Sequence, residues 1–248
     1  MRNSKLSLIG LIFIVMALGI MPSGAHAAIA ATYIDVEPDW DNATFGLFDP
    51  SDFSLESYTP VLDIYRSEVE ANAGSSSQQQ SIDSDYWTDL TASASESGTS
   101  AEAHTATDGS LGVSMVVGGL EASSEAITGY RFTVTDLANP LILLVKIPII
   151  IDYNIDSYVT ESDDDALAYM GLWNYSQDVY NETIYELANS GNIDEEITLT
   201  IKVNNYDTIW LYSGADLEAT ANPVPIPSAL LLLGSGFAGV MILKRKRG

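Results

Sequence analysis

From Ile197 to Val203 the chain reads Ile-Thr-Leu-Thr-Ile-Lys-Val, with apolar and polar side chains in strict turn. A period of two is that of a half-buried β-strand, because successive residues of an extended chain face opposite ways. The same period recurs at Tyr130, Phe132 and Val134, with Arg131, Thr133 and Thr135 on the other side. Leu90 to Thr107 alternates Ala with Ser, Thr and Glu. Such small side chains predict a thin polar sheet or a long twisted hairpin through Ser97-Gly98. Leu141 to Ile151 is almost continuously apolar, as a strand covered on both faces would be. Pro148 within it predicts an edge or a bulge. Asn204-Asn205 predicts a tight hairpin, since asparagine tolerates positive φ. With Tyr206, Trp210 and Tyr212 beyond it, this reads as the closing hairpin of a sandwich. The fold class that follows is all-β, a two-sheet β-sandwich of the jelly-roll or immunoglobulin-like kind.

Three stretches carry weaker signals. Residues 60–72 read either as a helix, with Thr59 as N-cap, Pro60 at the first position and Gly74 past the end, or as a strand. Residues 177–190 are open in the same way, with Gly191 as a stop. Gly74 to Ser81, rich in Ser and Gln, reads as a low-complexity loop or flexible insertion.

The two ends are organised differently. Arg2 and Lys5 precede an uncharged apolar stretch from Leu6 to Met21, and Pro22 and Gly24 break it ahead of Ala25-His26-Ala27. This is the layout of a secretory signal, predicted to span 1–27 and to be removed by signal peptidase, so that the mature chain starts at Ala28. Near the C-terminus, Asn222-Pro223-Val224-Pro225-Ile226-Pro227 is held extended by its prolines. Residues 228–243 carry no charge and, as a helix, would rise about 24 Å, slightly short of the ~30 Å hydrocarbon core. Snorkelling of the flanking cations closes that gap. Lys244, Arg245, Lys246 and Arg247 follow as a stop-transfer cluster that holds this end in the cytoplasm. The expected domains are therefore 1–27, an ectodomain at 28–222, and a tail at 223–248 with one transmembrane helix.

This tripartite tail resembles the PEP-CTERM sorting signal of proteins handled by exosortases. The matching residues are Val224, Pro225, Pro227, Ser228, the run Leu230 to Leu233, Gly234, Gly236, Gly239 and Lys244 to Arg247. Ile226 stands where the family usually has glutamate. The resemblance implies processing by an exosortase-like enzyme. It also implies a cell-envelope location, membrane-anchored before processing and then surface or extracellular. It covers the tail and not the ectodomain.

All 34 acidic residues lie between the two ends, against four basic ones, Arg66, Arg131, Lys146 and Lys202, so the exported part carries a net charge of −30. Such a field repels nucleic acid and anionic head groups and attracts divalent cations. The absence of cysteine excludes disulfides and thiolate chemistry. His26 leaves with the signal, and His104 is expected to be a solvent-facing strand residue. No nucleophile motif accompanies it, and no acid/base constellation stands out among the carboxylates, so an enzyme is not expected. Asp152, Asn154 and Asp156 have the spacing of the first ligands of a calcium loop, with Asp163 at the twelfth place. Ser157 stands where the turn glycine belongs, and the preceding residues read as a strand. Calcium is the one cofactor the sequence suggests. Two aromatic stripes, Tyr169, Trp173 and Tyr175, and Trp210 with Tyr212, suit either core packing or stacking on sugars. Core packing is the expectation. The functional expectation is a non-catalytic envelope or matrix protein associated with extracellular polysaccharide. A calcium-dependent carbohydrate-binding or adhesive module is the alternative, and a glycan hydrolase is third.

Overall fold

The computed structural model describes residues 32–118, 120–155 and 166–219. Among these residues the strands run, in order, β1 (Thr32–Pro38), β2 (Thr44–Asp49), β3 (Ser54–Tyr58), β4 (Leu62–Ala73), β5 (Ser76–Ser84), β6 (Leu90–Glu96), β7 (Thr99–Thr105), β8 (Leu111–Val116), β9 (Ala122–Thr133), β10 (Leu141–Asn154), β11 (Ala166–Asn174), β12 (Val179–Glu186), β13 (Ser190–Val203) and β14 (Thr208–Ala219). One 3-10 turn, Trp40–Asn42, separates β1 from β2. No helix among the described residues is long and apolar enough to cross a membrane. Both undecided stretches are strands, since β4 occupies most of 60–72 and β12 most of 177–190.

The strands form an eight-stranded and a six-stranded antiparallel sheet. β10 organises the first. β13 runs along one side of it from Leu141 to Asn154. The other side is shared, with β1 opposite residues 149–154 and β2 opposite 142–146. Pro148 falls in the gap between them, and its carbonyl accepts from the Asp39 amide (2.9 Å). A residue's N and C=O point to the same side of a strand, so the N–H that proline lacks would have pointed into this gap. An edge or bulge was expected; instead Pro148 sits in a central strand where no ladder bond is lost. β3 extends the sheet beyond β2, and β8, β7 and β6 extend it beyond β1. The second sheet has the order β12-β11-β14-β9-β4-β5.

The core lies between the sheets. Leu143, Val145, Ile147, Ile149 and Ile151 of β10 are buried facing Phe132, Leu172, Ile209, Leu211 and Leu217 of the six-stranded sheet. The expectation that β10 is covered on both faces does not hold. Its outer face is open, with Ile150 40% exposed, because each sheet has a partner on one side only. Ile197, Leu199, Ile201 and Val203 of β13 face inward as their period predicts. The Ala-rich stretch forms the hairpin β6–β7, turning through Ser97 (φ 50) and Gly98 (φ 84). Two positive φ angles in a two-residue loop match the twist of the strands. Ala92, Ala94, Ala101 and Ala103 pack inward where β4 presents Ala71 and Ala73, so short side chains let the sheets approach closely here.

The Ser/Gln run is not a loop. It is the edge strand β5, paired with β4. Its amides close the seam to the other sheet, because Gln80 Nε2 donates to the Thr91 carbonyl (2.6 Å) and Gln78 Oε1 accepts from the Ser93 amide (2.8 Å). Side-chain amides here take the place of the main-chain partner that an edge strand lacks. On the opposite seam Asn181 Oδ1 accepts from the Thr200 amide (3.4 Å), and the Tyr185 hydroxyl donates to Glu195.

The turn at Asn204 is tight, with the Asp207 amide donating to the Asn204 carbonyl (3.2 Å) and the Asn204 amide to Asp207 Oδ2 (2.7 Å). It is not a hairpin. It carries the chain from β13 in one sheet to β14 in the other, so that Val203 and Ile209 enter the core from opposite sides. Thr32 lies opposite Met115 at the end of β8, and Ala219 opposite Ala122 at the start of β9. Both ends of the described sandwich therefore sit at the β8–β9 end.

Candidate functional site

The outer face of the six-stranded sheet carries a group of partly exposed aromatic side chains from neighbouring strands. β11 alternates two apolar series. Ala166, Ala168, Met170 and Leu172 are buried, while Leu167, Tyr169 and Trp173 point outward and are partly exposed. On β14, Ile209, Leu211, Ala215 and Leu217 face the core, and Trp210 and Tyr212 face out. Core packing was expected for these aromatics. The smaller aliphatic series already fills the space between the sheets, so the rings go outside.

Strand register sorts this face into rows, because residues directly opposite share a face. Tyr180, Trp173, Trp210 and Arg131 form a row towards the end of the sheet opposite Ala219 and Ala122. Three strand spacings make it about 14 Å long. The next rows carry Glu182, Gly171, Tyr212 and Gly129, then Ile184, Tyr169, Gly214 and Ile127. Glycine has a defined use here. A Cβ on Gly214 would lie 2.3 Å from the Tyr169 ring, and one on Gly171 2.5 Å from the Tyr212 ring. Each tyrosine ring thus packs over the glycine of the neighbouring strand, and the two rings meet edge-to-face with centres 6.2 Å apart. The rings are pinned at their tips, with Tyr169 OH donating to Glu125 (3.1 Å) and Tyr212 OH to Glu182 (3.0 Å). Burial, reinforced by these carboxylates, raises both phenol pKa values. Trp173 stacks edge-on against Tyr175, ring centres 5.0 Å apart. Tyr180 is 71% exposed and Tyr175 66%.

Charge on this face is graded. Arg66 and Arg131, two of the four cations in the described residues, lie at the aromatic end. The Arg66 guanidinium sits over the Trp210 ring, 5.5 Å from its centre, and is paired with Glu68 (2.5 Å). At the other end Glu70, Glu125 and Asp216 stand directly opposite one another on β4, β9 and β14. Burial pushes Asp216 up to about 6, and Glu125, Glu218 and Glu70 add to the effect. Burial also raises Glu125, against the hydrogen bond from Tyr169. A glycosidase pair needs environments that drive its two carboxyls apart. These two are driven the same way.

A cleft of ≈ 630 Å³ lies elsewhere, beside Trp40 and Trp87, with Glu37, Asp39, Asp41, Asp108 and Asp194 around it. The tryptophans there are structural. Trp40 Nε1 donates to the Gly109 carbonyl (3.2 Å), Trp87 Nε1 to that of Gly129 (3.3 Å), and both rings pack on Tyr130. Asp39 accepts from Asn42, and Asp108 from Ser110, so these carboxylates fasten their own loops.

The expected calcium ligands divide. Asp152 and Asn154 stand two apart in β10, within an extended ladder rather than a loop. Asp152 lies opposite Asp35 of β1. Asp35 in turn is opposite Gly112 of β8, and Gly112 opposite His104 of β7. Burial raises the Asp35 pKa, His104 opposes this, and Asp152 and Glu37 add to it. Asp156 and Asp163 lie outside the described residues, as do the signal and the tail residues Val224 to Pro227 and Lys244 to Arg247. Among the described residues no group of three or more His, Asp or Glu is gathered closely enough to hold a metal ion. His104 is exposed, as expected.

The sequence did hold a signal for the outward face. Glycine cannot fill a core, so a strand face that alternates glycine with tyrosine, as Tyr169-Met-Gly171 and Tyr212-Ser-Gly214 do, is the outer one. Comparison with known protein families, curated proteins and solved structures finds no match.

Proposed function

We propose that this chain is a non-catalytic cell-envelope protein that holds extracellular polysaccharide on the outer face of its six-stranded sheet. The observation that carries this reading is the set of rings Tyr169, Trp173, Tyr180, Trp210 and Tyr212, laid out in register on one open face. Partly dry aromatic surface binds the apolar faces of sugars, and neighbouring carboxylates and phenols accept and donate to sugar hydroxyls. The signal at 1–27 supports export by signal peptidase, with the mature chain starting at Ala28. The tail at 223–248 supports exosortase-like sorting to the envelope. With Thr32 and Ala219, the two ends of the described sandwich, on the β8–β9 side, the aromatic row lies towards the opposite end of its sheet. We take the sandwich to be of the jelly-roll or immunoglobulin-like kind, which its two packed antiparallel sheets support.

The test uses full-length protein in a sugar-free zwitterionic detergent on a glycan panel, with and without calcium. The wild type should retain at least one polysaccharide, and Trp173→Ala with Tyr180→Ala should weaken it about tenfold or more, the worth of truncated interface anchors. Equal retention by the double variant would reject the reading.

A further inference from the structure

The aromatic row ends on a cation that has no partner. Among the described residues Arg66 is paired with Glu68 and Lys146 with Glu196, but no carboxylate lies within ion-pair distance of Arg131. This is a partly buried guanidinium on a domain with 34 acidic residues. Asp63, at the irregularity where β4 meets β9, accepts from Thr133 Oγ1 (2.9 Å) and not from Arg131. Arg131 lies opposite Trp210 on β14 and opposite Ile64 on β4. Its flanks along the row are therefore an indole and an aliphatic side chain.

From this placement we infer that the platform selects glycans carrying a carboxylate, as uronic acid polymers do, and that Arg131 reads the carboxylate while Trp173 and Tyr180 stack on neighbouring rings. The inference rests on the reading of this face as a glycan platform. Guanidinium is suited to the task, because its planar fork meets a carboxylate with two parallel hydrogen bonds. The overall charge of the domain does not forbid it. The row of Glu70, Glu125 and Asp216 is six residues further along the strands, about 20 Å from Arg131. The Debye length at physiological ionic strength is about 8 Å, so that row is largely screened at the site.

The experiment compares polygalacturonate with its methyl ester, which keeps the backbone and loses the charge, on full-length protein in the same detergent. The wild type should bind the acid form at least tenfold more tightly than the ester. Arg131→Gln should abolish that preference by weakening the acid form at least tenfold more than the ester, whereas Arg131→Lys should keep part of it. Trp173→Ala with Tyr180→Ala should weaken both forms. Equal affinity of the wild type for acid and ester, with both still weakened by the aromatic variant, overturns the role of Arg131 and leaves the platform standing. Binding of neither form, or equal losses on both forms in Arg131→Gln, overturns the inference, while the platform itself falls only if no polysaccharide on the panel is retained.

Discussion

Replacing Asp216 by Asn should stabilise the protein at neutral pH. Asp216 faces Glu125 directly across the strand pair, with Glu218 and Glu70 nearby, and burial is the largest reason its carboxyl is pushed up to about 6 from 3.8. A carboxyl that is more basic in the folded state favours folding while protonated. That contribution is complete below pH 3.8 and is lost as pH rises through about 6. For a fully buried group the difference would correspond to about 3 kcal/mol. Solvent reaches part of this face and screens it, which leaves roughly 1–1.5 kcal/mol. In a domain of this size that is about 3–5 °C in melting temperature. Asn has nearly the same shape and cannot ionise. Thermal unfolding followed by circular dichroism should therefore place Asp216→Asn about 3–5 °C above the wild type at pH 7.5, with the gap closing near pH 3.5. A gap that is the same at both values, or a variant that melts lower at pH 7.5, would refute the reasoning. The cost of keeping three carboxylates opposite one another is what a surface retained for binding rather than stability would carry.

Other consequences are testable in the same preparations. Millimolar calcium should raise the melting temperature more than sodium chloride of matched ionic strength if Asp152, Asn154, Asp156 and Asp163 bind it, and Asp156→Ala with Asp163→Ala should remove the excess; equal effects would leave only general screening of the −30 charge. Replacing Lys244 to Arg247 by Ser should release the protein or disturb its sorting in fractionated cells, and unchanged membrane retention and processing would reject the stop-transfer role. Gly214→Ala places a Cβ 2.3 Å from the Tyr169 ring. The ring must lift and lose its bond to Glu125, so glycan retention should fall with a melting temperature within a few degrees of the wild type.

Much of the sheet structure was legible in the sequence, and the reasons differ from strand to strand. Ile197 to Val203 could be oriented because only one of its two series is apolar. β11 could not, because both of its series are, and side-chain bulk pointed to the wrong one. The turn at Asn204 could be read from local chemistry, but which sheet the next strand joins is set by long-range packing of Ile209 and Leu211. The Ser/Gln run shows no hydrophobic period, since its work as β5 is done by amide side chains across a seam. The assembly of the aromatic face was not legible for a related reason. Its rows are assembled from β9, β11, β12 and β14, and no single stretch of chain contains Trp173, Trp210 and Arg131 together.

Hydroxyl-radical footprinting of the full-length protein, with and without a polysaccharide it retains, tests the proposed binding face most directly. Bound polysaccharide should protect Tyr169, Trp173 and Tyr180 from oxidation while Trp40 and Trp87 in the acidic cleft keep their unbound rates. Protection confined to Trp40 and Trp87, with the outer face of the six-stranded sheet unchanged, would contradict the account.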